Sequence, residues 1–230
     1  MTLTIYNAAD IPQGSDAWLE ARRGIVTAST VGKLLTSTGK IANNDTSRTL
    51  IETLALERIT GRVEYIHPSR DMQRGTLLEP FARDLYAQHY GEVQEVGFMR
   101  LDGNRHSLGY SPDGLVGDDG LLEIKSRAPR VQARTILDNR VPAANMAQLQ
   151  AGLLVTGRAW IDYCSYSPGL PLYIKRVIPD LDWFAAISEA VERAERDVSA
   201  LVETFCDATK GMTQTEYFDP FDLEEEVIYG

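Results

Sequence analysis

Cysteine is scarce in the 230 residues: Cys164 and Cys206 are the whole complement, with no paired CxxC motif. A disulfide framework and a cysteine-built zinc site are thereby excluded, and both thiols are read as buried. Basic charge is also in short supply, with 23 Lys and Arg against 33 Asp and Glu and a net charge of -10. That balance excludes a protein that coats nucleic acid by bulk electrostatics, but it leaves room for a local basic channel. Long apolar runs are missing. The longest, around residues 149–156, is far short of the ~20 residues of a membrane helix, so no membrane partner is expected. The first residues lack both the basic start and the apolar stretch of a secretory signal, which makes the cytoplasm the expected compartment.

What is present is the material of an ordinary globular protein, 43% hydrophobic and 24% charged, with no internal repeat and no low-complexity linker. One domain is expected over residues 1–230. Its end, residues 216–230, gathers Asp219, Asp222, Glu224, Glu225 and Glu226 with Tyr217, Phe218, Phe221 and Tyr229 and holds no basic residue. This acidic, aromatic tail reads as a solvated or loosely docked terminus, with a partner-binding segment as the alternative.

Helical spacing of apolar residues predicts helices over 46–60, ending at Gly61, over 74–89, 145–155 and 182–206, and a short one capped by Thr27 or Ser29 and reaching Leu35. In the 74–89 helix, Leu77, Leu78, Phe81, Ala82, Leu85 and Tyr86 form a broad apolar face. Pro80 there predicts a kink near Glu79 or a helix start just before it. Short stretches rich in branched or aromatic residues predict strands over 93–101, 120–126, 159–166 and 172–177. The expected fold is α/β, a central mixed sheet flanked by helices.

The chemistry is concentrated in Ser111-Pro112-Asp113-Gly114 and Leu122-Glu123-Ile124-Lys125. Side chains two apart on a strand leave on the same face, so Glu123 and Lys125 point together and Ile124 points the other way. On an inner strand such ionisable groups cost several kcal/mol to bury, on the order of a lost polar partner each, unless an opposite charge or a metal lies between them. A cation held by Asp113 and Glu123 meets that need, and magnesium prefers a few carboxylate oxygens together with water and phosphate. The competing reading is a Pro-Asp-Gly turn plus a surface Glu and Lys on an edge strand.

Pro112-Asp113 with Glu123-Ile124-Lys125 resembles the two halves of the PD-(D/E)xK nuclease motif. Further blocks lie around it in order: Trp18-Leu-Glu-Ala-Arg22-Arg-Gly24-Ile-Val-Thr-Ala-Ser29, Arg74-Gly75-Thr-Leu-Leu-Glu79, Tyr110-Ser-Pro-Asp-Gly114 and Met146-Ala-Gln148-Leu-Gln150. Together, over roughly residues 13–175, they resemble the phage lambda exonuclease or YqaJ-type viral recombinase family. The resemblance implies a restriction-endonuclease-like core and a Mg2+-dependent enzyme, with Mn2+ as a substitute and two ions per active site. Such an enzyme degrades one strand of duplex DNA 5′→3′ to mononucleotides and leaves 3′ overhangs for recombination.

Position by position, the resemblance makes Asp113, Glu123, the Ile124 carbonyl and Glu79 metal contacts, Lys125 the catalytic lysine and Gln148 a glutamine of the active site. Arg22, Ser29 and Ser111 correspond to a 5′-phosphate pocket, a role that suits a guanidinium fork with hydroxyl donors. Asp102 matches a family aspartate only with a one-residue insertion, and a turn at residues 101–104 competes with it. Arg127, Arg130 and Arg134 are candidates for DNA backbone contacts, against a plain solvent-facing stretch. The implied partners are duplex ends carrying a 5′-phosphate, two further copies in a trimeric ring and a single-strand annealing protein. Two alternatives stand beside this reading: a PD-(D/E)xK endonuclease of restriction or repair type, and a non-catalytic recombination or assembly protein. A Cas4-like nuclease would need an iron–sulfur cysteine set that two cysteines cannot provide.

Overall fold

The structure is a computed structural model that describes residues 1–63, 69–104 and 106–218. It opens with β1 (Thr2–Tyr6), α1 (Asp16–Arg22), β2 (Val26–Thr27), α2 (Ala28–Val31), α3 (Asp45–Thr60) and α4 (Arg70–Tyr90). The strands β3 (Val93–Gln94), β4 (Phe98–Asp102), β5 (Ser107–Tyr110), β6 (Gly114–Val116) and β7 (Gly120–Ser126) follow. The chain continues through α5 (Pro129–Asp138), α6 (Ala143–Thr156), β8 (Trp160–Tyr166), β9 (Tyr173–Val177) and α7 (Leu181–Ala208).

The α/β class is as expected, but the strands form two mixed sheets where one was anticipated. The first has the order β1-β4-β5-β2 and the second β3-β6-β7-β8-β9. The division falls inside the strand expected over 93–101. Its first part pairs with β6 and its second with β1 and β5. At the break, Gly97 passes so close to the N-terminal segment that a Cβ there would lie 2.7 Å from the Ile11 carbonyl oxygen. That contact turns the chain out of one sheet and into the other.

In the second sheet β7 and β8 run parallel, joined through α5 and α6 as a parallel pair requires. Both faces are covered. Ala82 and Tyr86 of α4 pack against Leu122, Ile124 and Cys164 on one side. On the other, Leu149, Ala151 and Leu153 of α6 lie with Leu121, Ile161 and Tyr163, and Ile187, Val191, Ala194 and Val198 of α7 close the layer. Each such large side chain contributes roughly 1.5–3 kcal/mol by leaving water. A strand buried on both faces is normally apolar throughout, so Glu123, at 2% exposure in the middle of β7, stands out.

Three helical expectations need correction. The helix expected from residue 74 begins at Arg70, where the Ser69 side chain accepts from the Met72 amide, and it runs through Pro80. Pro80 is exposed, so the carbonyl left without a donor faces water. Its apolar face is narrower than expected: Ala82 and Tyr86 are buried, whereas Leu77 is 70% and Phe81 64% exposed. The short helix after Thr27 ends at Val31 and does not reach Leu35. Cys164 is buried, but Cys206 is exposed because the last turns of α7 extend past the core. Within the tail, the Tyr217 ring lies 3.7 Å from the Arg62 guanidinium, and residues 219–230 lie outside the described residues. Among the described residues no helix is long and apolar enough to cross a membrane.

Candidate active site

A second crossing between the two sheets is three residues long, Ser111, Pro112 and Asp113, between the end of β5 and the start of β6. Asp113 Oδ2 accepts a hydrogen bond from the Ile124 amide at 2.5 Å, which brings the link against β7. From α4, Arg83 Nε donates to the Asp113 carbonyl at 2.9 Å, and the same guanidinium pairs with Glu79 and, at 3.0 Å, with Glu95. Glu79 therefore reaches the cluster from the helix, one turn before Arg83, the spacing at which helical side chains meet.

Glu123 and Lys125 share a face of β7, as the strand period requires, and Lys125 Nζ donates to Glu123 Oε1 at 2.8 Å. The Gln148 amide donates to that same oxygen at 2.5 Å from α6, and the Tyr110 hydroxyl donates to Oε2 at 3.2 Å. Since β7 lies between β6 and β8 and Glu123 is buried, the surface-pair reading on an edge strand does not hold.

The electrostatics are those of a site short of positive charge. Burial, then Glu123 and Glu79, push the Asp113 carboxyl well above the usual carboxylate range. Glu79 is raised as well, by burial and then by Glu123 and Glu95 against the pull of Arg83. For Lys125, burial works against the ammonium, but Glu123 and Asp113 more than offset it and its pKa ends above the ordinary lysine value. Among the described residues no group of three or more His, Cys, Asp or Glu side chains is gathered to hold a metal. Two oxygen donors close together, one of them reluctant to ionise alone, fit a hard cation that takes few protein ligands and keeps water, as magnesium does. They lack the cysteine and histidine ligands on which structural zinc sites are built.

A second cluster adjoins the first through Ser111. The Arg22 guanidinium lies 4.1 Å over the Trp18 ring, and Trp18 Nε1 donates to Ser111 Oγ at 2.8 Å. Arg22 Nη2 also reaches Thr27 Oγ1 at 3.5 Å, which in turn lies 3.0 Å from Ser29 Oγ. Arg22, Ser29 and Ser111 are thus joined in one network, with Trp18 and Thr27 as the connectors. The sequence offers Thr27 only as a helix cap and assigns no role to Trp18, Tyr110 or Arg83. Trp18 and Tyr110 lie inside motif blocks, and the Glu79–Arg83 spacing was the available signal for Arg83.

Asp102 is not brought to the cluster. It pairs in register with Ser107 at the far end of the ladder in which Met99 faces Tyr110. Its carboxylate is taken by Arg100 Nε at 2.7 Å and Ser107 Oγ at 2.5 Å, in keeping with the turn reading. Arg127 lies close by: its Nη2 donates to Asn145 at 2.8 Å and to the hydroxyl of Tyr163 at 3.2 Å, and Tyr163 is the register partner of Glu123. Arg130 and Arg134 are exposed on α5.

The sequence model of the YqaJ-like viral recombinase domain matches residues 17–159, well over half of the chain. The chain belongs to that family. The matched span of this YqaJ-like protein holds Arg22, Ser29, Glu79, Ser111, Asp113, Glu123, Lys125 and Gln148. Among solved structures, the alkaline exonuclease LHK-Exo from Laribacter hongkongensis is 32% identical, with a TM-score of 0.77 over 86% of this chain and 100% of that one. LHK-Exo in complex with dAMP matches to the same extent. A phage-related exonuclease from Haemophilus somnus 129PT, at 13% identity and a TM-score of 0.59 over 79% of this chain and 96% of its own, shares the fold. Comparison with curated proteins finds no match. Family and alkaline-exonuclease likeness together support a nuclease of the phage exonuclease type.

Proposed function

We propose that this YqaJ-like protein is a metal-dependent 5′→3′ exonuclease. It takes a duplex DNA end with a 5′-phosphate, degrades that strand to mononucleotides and leaves a 3′ overhang for annealing-driven recombination. The observation that carries the reading is the three-residue link: Ser111 joins the Arg22 network and Asp113 accepts from the Ile124 amide, next to Glu123 on β7, so a phosphate-binding cluster and a cutting cluster share one short segment. The complex of LHK-Exo with dAMP, a mononucleotide, agrees with it.

Arg22 offers a guanidinium fork to the terminal phosphate, and the hydroxyls of Ser29 and Ser111 supply further donors. Asp113, Glu123, the Ile124 carbonyl and, directly or through water, Glu79 would hold Mg2+ or Mn2+, two ions in the family pattern. When bound, such a cation lowers the pKa of a water and neutralises charge on the phosphodiester. Lys125, kept protonated by Glu123 and Asp113, brings a positive charge to the oxygens on which negative charge develops. Gln148 holds Glu123 in place. A ring of three copies around DNA and a single-strand annealing partner belong to the same proposal.

The test is digestion of end-labelled linear duplexes with 5′-phosphate, 5′-hydroxyl and recessed ends, beside a closed circle. Mononucleotides from the phosphorylated 5′ end, an intact circle, and loss of activity in Glu123→Ala and Lys125→Ala with the fold retained are expected. Cutting of the circle makes the protein an endonuclease, and full activity in either variant removes the assigned chemistry.

A further inference from the structure

We propose that Tyr110 is a positioning residue for Glu123, and that the bare backbone of Gly152 is what lets its hydroxyl reach the carboxylate. The inference rests on the reading of Asp113 and Glu123 as a metal centre. Glu123 receives its donors unevenly. Oε1 accepts from both Lys125 and Gln148, whereas Oε2 accepts from the Tyr110 hydroxyl. Two donors on one oxygen leave the other without a partner to oppose rotation about the Cγ–Cδ bond. A third on that oxygen restrains the group at both ends, which orients a metal ligand. Tyr110 is 1% exposed and ends β5 in the first sheet, while Glu123 belongs to the second, so the bond also ties the two sheets at the carboxylate.

The donor is suited to the task. The phenol is buried, and its hydroxyl donates to the carboxylate across the seam between the two sheets. Lys125 has a second duty at the substrate. When its ammonium turns to phosphate, Tyr110 and Gln148 still hold Glu123. Gly152 makes the arrangement possible from α6: a Cβ there would stand 2.8 Å from Tyr110 Cζ and 3.2 Å from its hydroxyl oxygen. At that distance something must shift, and the nearest atoms are those of the Tyr110 ring.

The experiment measures Mn2+ binding to the full chain without DNA, by calorimetry or electron paramagnetic resonance, well below the melting temperature. Tyr110→Phe keeps the ring and removes the donor. A Kd for Mn2+ weaker by ~10-fold is expected, with kcat reduced and KM for DNA unchanged. Gly152→Ala keeps the hydroxyl but moves it, and a similar weakening is expected. An unchanged Kd in Tyr110→Phe overturns the inference, and an unchanged Kd in Gly152→Ala overturns the part assigned to Gly152. Glu123→Gln separates the two readings: if it binds Mn2+ as tightly as the parent, the metal centre itself is misplaced. If it loses binding while Tyr110→Phe does not, this inference alone falls.

Discussion

Trp18 Nε1 and Ser111 Oγ lie 2.8 Å apart, the indole donating, although the residues are separated by most of the first half of the chain. The bond fixes the orientation of the ring on which Arg22 lies, and through Ser111 it sets the distance from that guanidinium to the segment carrying Asp113. Trp18→Phe keeps an aromatic face and removes the donor. Preference for a 5′-phosphate over a 5′-hydroxyl end is expected to fall about five- to tenfold, the worth of one hydrogen bond of roughly 1 kcal/mol or slightly more. Competitive digestion of the two labelled ends measures it, and an unchanged ratio counts against the network.

Arg22→Ala removes the charge itself. A larger loss of end preference is expected, ~100-fold, since a charge-assisted pair contributes about 1.5–3 kcal/mol. Activity on 5′-hydroxyl ends should change far less. A parallel loss on both substrates would place Arg22 in the chemistry and not in end recognition.

Asp113 predicts a pH dependence. Its carboxyl is raised in the folded protein, above an unfolded value of about 3.9. The folded state therefore binds this proton more tightly, and the stability it contributes is present below about pH 4 and lost as pH rises through the folded value. Thermal unfolding in chelator should show the metal-free protein weakening over that interval, with a flatter profile in Asp113→Asn. The stabilisation given by added Mn2+ should grow over the same interval, and a pH-independent Mn2+ effect would contradict the assignment.

On the other face of β7 and β8, Asp162 is 2% exposed and accepts from Tyr86 at 2.7 Å and from both Arg176 Nε and Nη2 at 2.9 Å. Arg176→Leu leaves that buried carboxylate with Tyr86 alone. A cost of about 2 kcal/mol is expected, below the range for a fully buried pair because the guanidinium is half-exposed. Denaturant midpoints report it, and kcat/KM at low temperature should stay unchanged because the bonds of Asp162 go to Tyr86 and Arg176, neither of them assigned to the site.

Arg130 and Arg134 stand free on α5, next to the segment that leaves the active-site strand. If both meet DNA phosphates, Arg130→Ala with Arg134→Ala lowers the slope of log affinity against log salt by roughly 2. An unchanged slope makes α5 a solvent-facing helix only.

The long, patterned elements were legible. The strand over 120–126 coincides with β7, and the helix predicted to stop at Gly61 does so with that glycine at φ 67, the left-handed cap a helix end favours. Elements too short or too polar for a period were not: β5 and β6 have four and three residues, and α1 buries none of its side chains. Helix α5 docks through Gln132, whose amide donates to the Ser165 and Pro171 carbonyls and accepts from the Ser165 hydroxyl, so its buried positions are polar while Val131 and Leu137 lie exposed. At the site, the approach of Asp113, Glu123, Lys125 and Gln148 follows the motif blocks. The Tyr110–Glu123 bond does not, because it joins strands of different sheets, and no local pattern records which sheets will abut.

The segment Ser111 to Asp113 carries a further consequence. Two α-carbons that far apart along a chain span at most about 7 Å. On the proposed reading, the grip on a strand's end and the blade that severs it are held at a spacing dictated by main-chain covalency. The length of each released piece is then gauged by a short main-chain ruler whose far mark is pinned by the indole on Ser111.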